Sequence, residues 1–223
     1  MKKFVILLFT FSLLGLQSVK SQDFYIEGHV NYNQVDDVDV DNVGSFEGLT
    51  FSNMNASLDY DSDTGLGFEV GAINVSDSNL RIGLSYSEQK IDLKKASGTG
   101  TVTDGITTVD FAVSATKEEL ASIGLSFSND VKSYSLNAYY DFETNETFTP
   151  YVGVGLGQVD IENANDKELS KSLYLGGRHS VNDQMYVGLK GAYTMIDGPS
   201  DKLSISYDDI TIKSLSLIVG YNF

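Results

Sequence analysis

The stretch Leu215-Ser-Leu-Ile-Val-Gly-Tyr-Asn-Phe223 alternates apolar residues with small or polar ones up to a final aromatic. In an extended chain successive side chains point to opposite faces. Leu215, Leu217, Val219, Tyr221 and Phe223 therefore share one face, and Ser214, Ser216, Gly220 and Asn222 share the other. An apolar face ending in an aromatic pair, backed by a small polar face, is what the closing strand of a transmembrane β-barrel needs. A soluble edge strand carries a similar alternation, so the rest of the chain must decide.

The other end of the chain supplies the compartment. Met1-Lys2-Lys3 is basic, Phe4 to Leu16 is a nearly unbroken apolar run, and Val19-Lys20-Ser21 offers small or β-branched residues at the cleavage positions. Thirteen apolar positions fall short of the ~20 that a membrane helix needs, so residues 1–21 read as a secretory signal peptide cleaved after Ser21. Residues 22–223 are the expected mature domain. The chain has no cysteine, which excludes a lipoprotein anchor, disulfides and thiolate chemistry. Cleavage removes three lysines and no acid, taking the formal charge from −16 to −19, and a chain this acidic is not expected to bind nucleic acid. Its 41% apolar content is spread by alternation and is rich in aromatics, which fits a membrane barrel better than membrane helices.

The same period of two recurs between turn-forming clusters. Phe24, Ile26, Gly28, Val30 and Tyr32 alternate with Tyr25, Glu27, His29 and Asn31. Leu66, Phe68, Val70 and Ala72 alternate with Gly67, Glu69 and Gly71, and the turn Ser76-Asp77-Ser78-Asn79 leads to Leu80, Ile82, Leu84 and Tyr86, so the two runs form a hairpin. Tyr134 to Phe142 and Pro150 to Leu156 make another pair, with proline at the strand entrance where a missing donor does little harm. Leu173 to Arg178 turns at Asn182-Asp183 into Met185 to Thr194, and the strand ending at Phe223 completes eight.

Connection lengths supply the topology. Short turns fall near 76–79, 143–148 and 182–184, and long polar segments at 33–64, 94–131, 158–171 and 197–210. Short periplasmic turns alternating with long external loops are the rule for outer-membrane barrels, and an even strand count leaves both termini periplasmic. The fold expected is all-β: an eight-stranded antiparallel up-and-down transmembrane β-barrel. Segment 94–131 leaves a choice. Ala121, Ile123, Leu125 and Phe127 alternate with small residues and offer a ninth and tenth strand with a partner near 101–113; a long external hairpin is the preferred reading.

Asn137-Ala-Tyr-Tyr-Asp-Phe142, Thr149-Pro-Tyr-Val-Gly-Val-Gly-Leu-Gly157 and the ending Tyr221-Asn-Phe223 resemble the opacity-protein and surface-antigen family of small outer-membrane β-barrels, which is similar to the outer-membrane protein A barrel. The resemblance spans most of the mature chain. It implies residence in the outer membrane of a Gram-negative bacterium and insertion by the barrel assembly machinery, with Tyr221 and Phe223 as the assembly signal. It implies no single activity, because members differ mainly in their loops. With the last strand at the last residue, an appended peptidoglycan-binding module is not expected.

Alternation puts Glu27, His29, Glu69, Arg81, Asp141, Arg178 and Lys190 on the inner face among serines, glycines and tyrosines. Eight strands enclose only enough room for side chains, and buried charges must pair. Glu27, Glu69, Arg81, Asp141, Arg178 and Lys190 are therefore the expected interior ion-pair network, with the bulk of Tyr25, Tyr139, Tyr151, Tyr174 and Tyr186 filling the lumen. Two function classes follow. The first is a structural and surface-interaction barrel, adhesin-like or serving envelope integrity; the second is a small-solute porin using the same charges as a narrow ion path. A lipid-modifying enzyme needs a nucleophile and base together near the outer lipid face. His179 and Ser180 are adjacent, hence on opposite faces, and lie near the periplasmic turn, so no catalytic residues are expected.

The external segments carry acid rather than chemistry. Asp36, Asp37, Asp39, Asp41 and Glu47 precede Asp59-Tyr-Asp-Ser-Asp-Thr-Gly65, where the glycine is one place late for a calcium loop and Val70 stands where its glutamate belongs. No cofactor or metal site is expected. Loosely shared divalent cations bridging these carboxylates to lipopolysaccharide phosphates are the expected lipid contact, and the barrel is expected to be a monomer. Ser97-Gly-Thr-Gly-Thr-Val-Thr103 has no lysine for a phosphate and reads as a flexible loop.

Overall fold

The computed structural model describes residues 23–42, 45–46, 48–75, 78–122, 128–142, 147–162, 164–200 and 206–223. The signal segment, Ser76 and Asp77 of the first turn, Glu47, residues 143–146 and the Ile123 to Phe127 alternation lie outside these residues.

Among the described residues thirteen strands and one short helix follow in order: β1 (Asp23–Val35), β2 (Val38–Asn42), β3 (Ser45–Phe46), β4 (Leu49–Tyr60), β5 (Asp63–Ile73), β6 (Leu80–Thr103), β7 (Thr108–Thr116), α1 (Lys117–Ser122), β8 (Ser128–Asp141), β9 (Phe148–Ile161), β10 (Glu168–Ser180), β11 (Met185–Ile196), β12 (Ser206–Tyr207) and β13 (Ile210–Asn222). Eight of them close a ring of antiparallel neighbours, β1-β5-β6-β8-β9-β10-β11-β13 and back to β1. The closing seam is β13 on β1, where Tyr25 faces Asn222 and Val35 faces Ile212. Closure leaves no ring strand with an unpaired edge, which the hydrocarbon layer demands of any sheet that crosses it.

The outward face is apolar: Ile26, Leu66, Leu136, Leu173, Leu189 and Leu217 are among its exposed residues. Aromatics border this band. Tyr140 with Phe142 and Tyr221 with Phe223 pack edge to face at the end bearing the short turns, and Tyr86 with Tyr134 pack at the other. Phe24 and Tyr32, eight residues apart on β1, mark the two borders, roughly 20 Å apart at ~3.3 Å per residue and a ~40° tilt.

Above the upper border the structure departs from a reading of polar loops. β6 runs on for eleven residues past Asp92, the last to pair with β8, and its upper part is flanked by β4 on one side and β7 on the other. β2 joins β4 and β12 joins β2, so segments 33–64, 94–131 and 197–210 build a second, external sheet. Ser97 to Thr103 is therefore strand, not loop: its β-branched threonines and Val102 favour extended backbone, and its glycines let the neighbouring strands come close. Gly100 has Met54 and Phe111 against its backbone. The external segment 158–171 contracts to 162–167 because β9 and β10 extend through Ile161 and from Glu168.

Candidate functional site

The barrel interior is the place where side chains of unlike chemistry converge, and it is layered along the axis. Nearest the periplasm is a charged layer. Glu27 on β1 and Glu69 on β5 are cross-strand partners, both fully buried, an arrangement that repels unless cations intervene. Arg81 supplies one, with Nη1 3.8 Å from Glu27 Oε2 and 3.7 Å from Glu69 Oε1, and its Nε 3.5 Å from Asp141. Lys190 Nζ donates to Glu27 at 2.9 Å, and Arg178 Nη2 donates to Asp141 at 2.6 Å. The three carboxylates and three cations of this cluster sum to zero charge.

Tyrosines complete the layer. The hydroxyls of Tyr25 and Tyr139 both donate to Glu69, the latter at 2.7 Å, Tyr186 donates to Glu27 at 3.2 Å, and Asn137 Nδ2 donates to Glu69 at 2.8 Å. The Arg81 guanidinium carbon lies 4.0 Å from the Tyr139 ring centre and 4.8 Å from that of Tyr151, so the cation meets aromatic faces where carboxylates do not reach it. Gly83 makes the packing possible: a Cβ there would come within 2.3 Å of the Tyr25 hydroxyl and 2.6 Å of Glu69 Oε1.

The middle layer is a cavity of about 90 Å³ lined by His29, Asn31, Asn33 and serines of β6, β8, β10 and β13. Neutral hydrogen bonds tie its walls together: Ser85 with Ser135 at 2.6 Å, Ser172 with Thr194 at 2.9 Å, and Ser214 to Asn33 at 2.6 Å. Among the described residues His29 Nδ1, Asn31 Oδ1 and Asn33 Nδ2 have no protein partner. A space of this size and polarity suits a small cluster of waters.

The top layer is aliphatic and is not among the interior residues that the sequence alone points to. On strand after strand the last inward position is β-branched and apolar: Val35, Ile91, Val131, Val159, Ile196 and Ile212, joined by Val38 and Ile210 in one buried cluster, with Tyr60, Ile161 and Tyr207 packed on it. The signal was present in the parity of β1, where Tyr25, Glu27, His29, Asn31 and Asn33 lead to Val35.

A fold and interior of this kind place the chain, and the model of the outer membrane protein beta-barrel domain family matches residues 4–223. The chain belongs to that family. It is an outer-membrane barrel of the Gram-negative envelope. Solved structures share its architecture at low identity. Neisserial surface protein A is 14% identical with a TM-score of 0.54, over 90% of this chain and 97% of that one. OprG from Pseudomonas aeruginosa is 17% identical with a TM-score of 0.49, over 93% and 98%. Ail, the attachment invasion locus protein of Yersinia pestis, in complex with the heparin analogue sucrose octasulfate, is 15% identical with a TM-score of 0.44, over 92% and 100%. No curated protein matches the chain.

Outside the barrel the acidic segments are engaged by lysines. Lys213 Nζ lies 2.7 Å from Asp36, Lys94 3.1 Å from Asp59, and Lys117 2.8 Å from Asp92. Hydrogen bonding to Asp92 raises the affinity of Lys117 for its proton, as bonding to Asp59 does for Lys94. Asp59 and Asp63 fall in different strands, β4 and β5, instead of one cation loop. Among the described residues no group of three or more histidine, aspartate and glutamate side chains is placed to hold a metal. His179 lies at the periplasmic end with Nδ1 3.4 Å from the Thr147 hydroxyl.

Proposed function

We propose that this barrel is a non-conducting, non-enzymatic scaffold that spans the outer membrane and presents an external β-sheet for contact with other surfaces. The observation that carries this reading is the stacking of two unlike seals across the lumen, a charge-neutral tyrosine layer below and a ring of valine and isoleucine above. Ion passage would require both dispersing the aliphatic ring and separating a network whose carboxylates are bridged by buried cations. The six charged side chains act here as a structural core that fixes the ring. Among the described residues a hydrolytic role has no histidine near the outer lipid face to serve as base, since His179 stands at the opposite end.

Single-channel recording in planar bilayers tests the reading: silence across the voltage range is expected, and stable open steps would refute it in favour of a small-solute porin. Lipopolysaccharide held through divalent cations at the external carboxylates, and delivery by the barrel assembly machinery through Tyr221 and Phe223, belong to the same proposal. Deleting Phe223 is expected to lower outer-membrane levels far more than any loop substitution; unchanged levels would remove that role.

A further inference from the structure

The external sheet has two chemically distinct faces. On one lie Phe51, Met54, Ala56 and Leu58 of β4, Ala96, Gly98, Gly100 and Val102 of β6, and Val109, Phe111, Val113 and Ala115 of β7, as their register pairs them. The Phe51 and Phe111 rings meet edge to face on this side. The other face carries serines and threonines, with Thr101 donating to Asp110 at 3.0 Å.

β7 lies at the margin of this sheet. Among the described residues it pairs with β6 and with no strand beyond, in unbroken register from Lys95↔Thr116 to Thr103↔Thr108. Edges left open in this way are normally protected by lysine, proline or a bulge, and Thr108–Thr116 has none of these. Val109 at 52% and Val113 at 60% exposure are open, Phe111 and Ala115 are half-buried, and Ile106 at the hairpin tip is 94% exposed.

The strand complements itself. Laid antiparallel on a second copy with full overlap, its midpoint Ala112 meets Ala112, Phe111 meets Val113, Val109 meets Ala115, and Thr108 meets Thr116. Asp110, its one charge, meets Ser114, so no like charges are opposed. The symmetry axis of such a pair is perpendicular to the sheet. β6 carries the sheet up out of the barrel wall, so that axis lies along the membrane plane and turns one barrel upside down relative to the other. Two copies in one membrane cannot satisfy it; copies in facing membranes can.

We propose that the β7 edge is a homophilic contact joining two copies of this protein across apposed outer membranes, antiparallel and centred on Ala112. The proposal rests on the reading of a scaffold with its long connections outside, and it names the partner of that surface. Mutual repulsion of the acidic chains makes the contact salt-dependent, weakest at low ionic strength.

The absence of native cysteine makes the register testable. Protein reconstituted in phosphatidylcholine vesicles is expected to cluster them at physiological salt. Under mild oxidation Ala112→Cys should cross-link to itself between vesicles, whereas Val109→Cys should cross-link to Ala115→Cys and not to itself. Ala112→Lys vesicles should lose clustering, as should Ala112→Glu vesicles, and mixing the two should restore it, which a merely misfolded variant would not do. Vesicles that stay dispersed while electrophoresis shows a folded, heat-modifiable barrel would overturn the proposal, as would cross-linking confined to one vesicle or indifferent to position. Conductance of the same vesicles reads the scaffold separately: silent, dispersed vesicles remove the edge contact alone, and conducting, clustered ones remove the scaffold alone.

Discussion

The lower and upper halves of the lumen close the same barrel by opposite means. Below, Glu27 and Glu69 are forced together by register and made tolerable by Arg81, Lys190 and the tyrosine hydroxyls. Above, Val159, Ile196 and Ile212 need no partners beyond one another. The charged layer is specific and brittle, because each group depends on a few named neighbours. The aliphatic layer is forgiving, because dispersion and exclusion of water are shared over many contacts.

Substitution should expose that difference. Arg81→Leu leaves two facing carboxylates buried without their bridge and is expected to cost about 3–5 kcal/mol in urea unfolding from lipid vesicles. A cost below about 1 kcal/mol would mean that the layer does not depend on its cation. Ile196→Ala, at a side chain 1% exposed, should cost roughly 2–5 kcal/mol by the same measurement and leave the barrel silent in bilayers, since the charged layer still blocks the lumen. Conductance from that single change would assign the whole seal to the upper ring. In the layer between, Ser214→Ala removes a neutral hydrogen bond to Asn33 beside the cavity and should cost only about 0.5–1.5 kcal/mol.

The smallest effect lies outside the barrel, where a carboxylate is held by backbone alone. Asp104 accepts the amides of Thr107 at 2.7 Å and Ile106 at 2.8 Å, and these bonds hold its carboxyl below the usual range. A depressed acid contributes above its unfolded value and loses that contribution as pH falls through the folded one. Protection of the Ile106 and Thr107 amides, measured against their intrinsic exchange at each pH, should therefore fall selectively in acid, with the lumen unaffected. A uniform fall in protection would trace the acid sensitivity to the buried carboxylates instead.

Alternation alone was enough to place Glu27, Glu69, Arg81, Asp141, Arg178 and Lys190 on one face of their strands, because lipid on the other side leaves little freedom for charge. It could not say that Glu27 and Glu69 would be neighbours, since register between strands is set by closure of the ring. The Val and Ile ring escapes alternation for a related reason: past Tyr32 the polar pair Asn33 and Gln34 looks like loop, and only the strand's partners carry it on to Val35. The external sheet was hidden by acid. Val38 and Val40 sit between aspartates, and they are strand only because β4 pairs with them. Long-range partners, absent from any local window, supply what these segments lack.

One residue keeps the strands of that sheet in step. Tyr60 pairs with Leu93 and Asp59 with Lys95, so Lys94 is an extra residue in β6 that reverses the alternation above it. Leu93 turns into the lumen, and after the bulge Ala96, Gly98 and Gly100 keep to the same side, over the barrel mouth. Without that lysine β6 would turn its other face to β4, whose Tyr60, Leu58 and Ala56 alternate without a break, so a single inserted residue keeps the apolar side chains of the two strands on one side of the sheet.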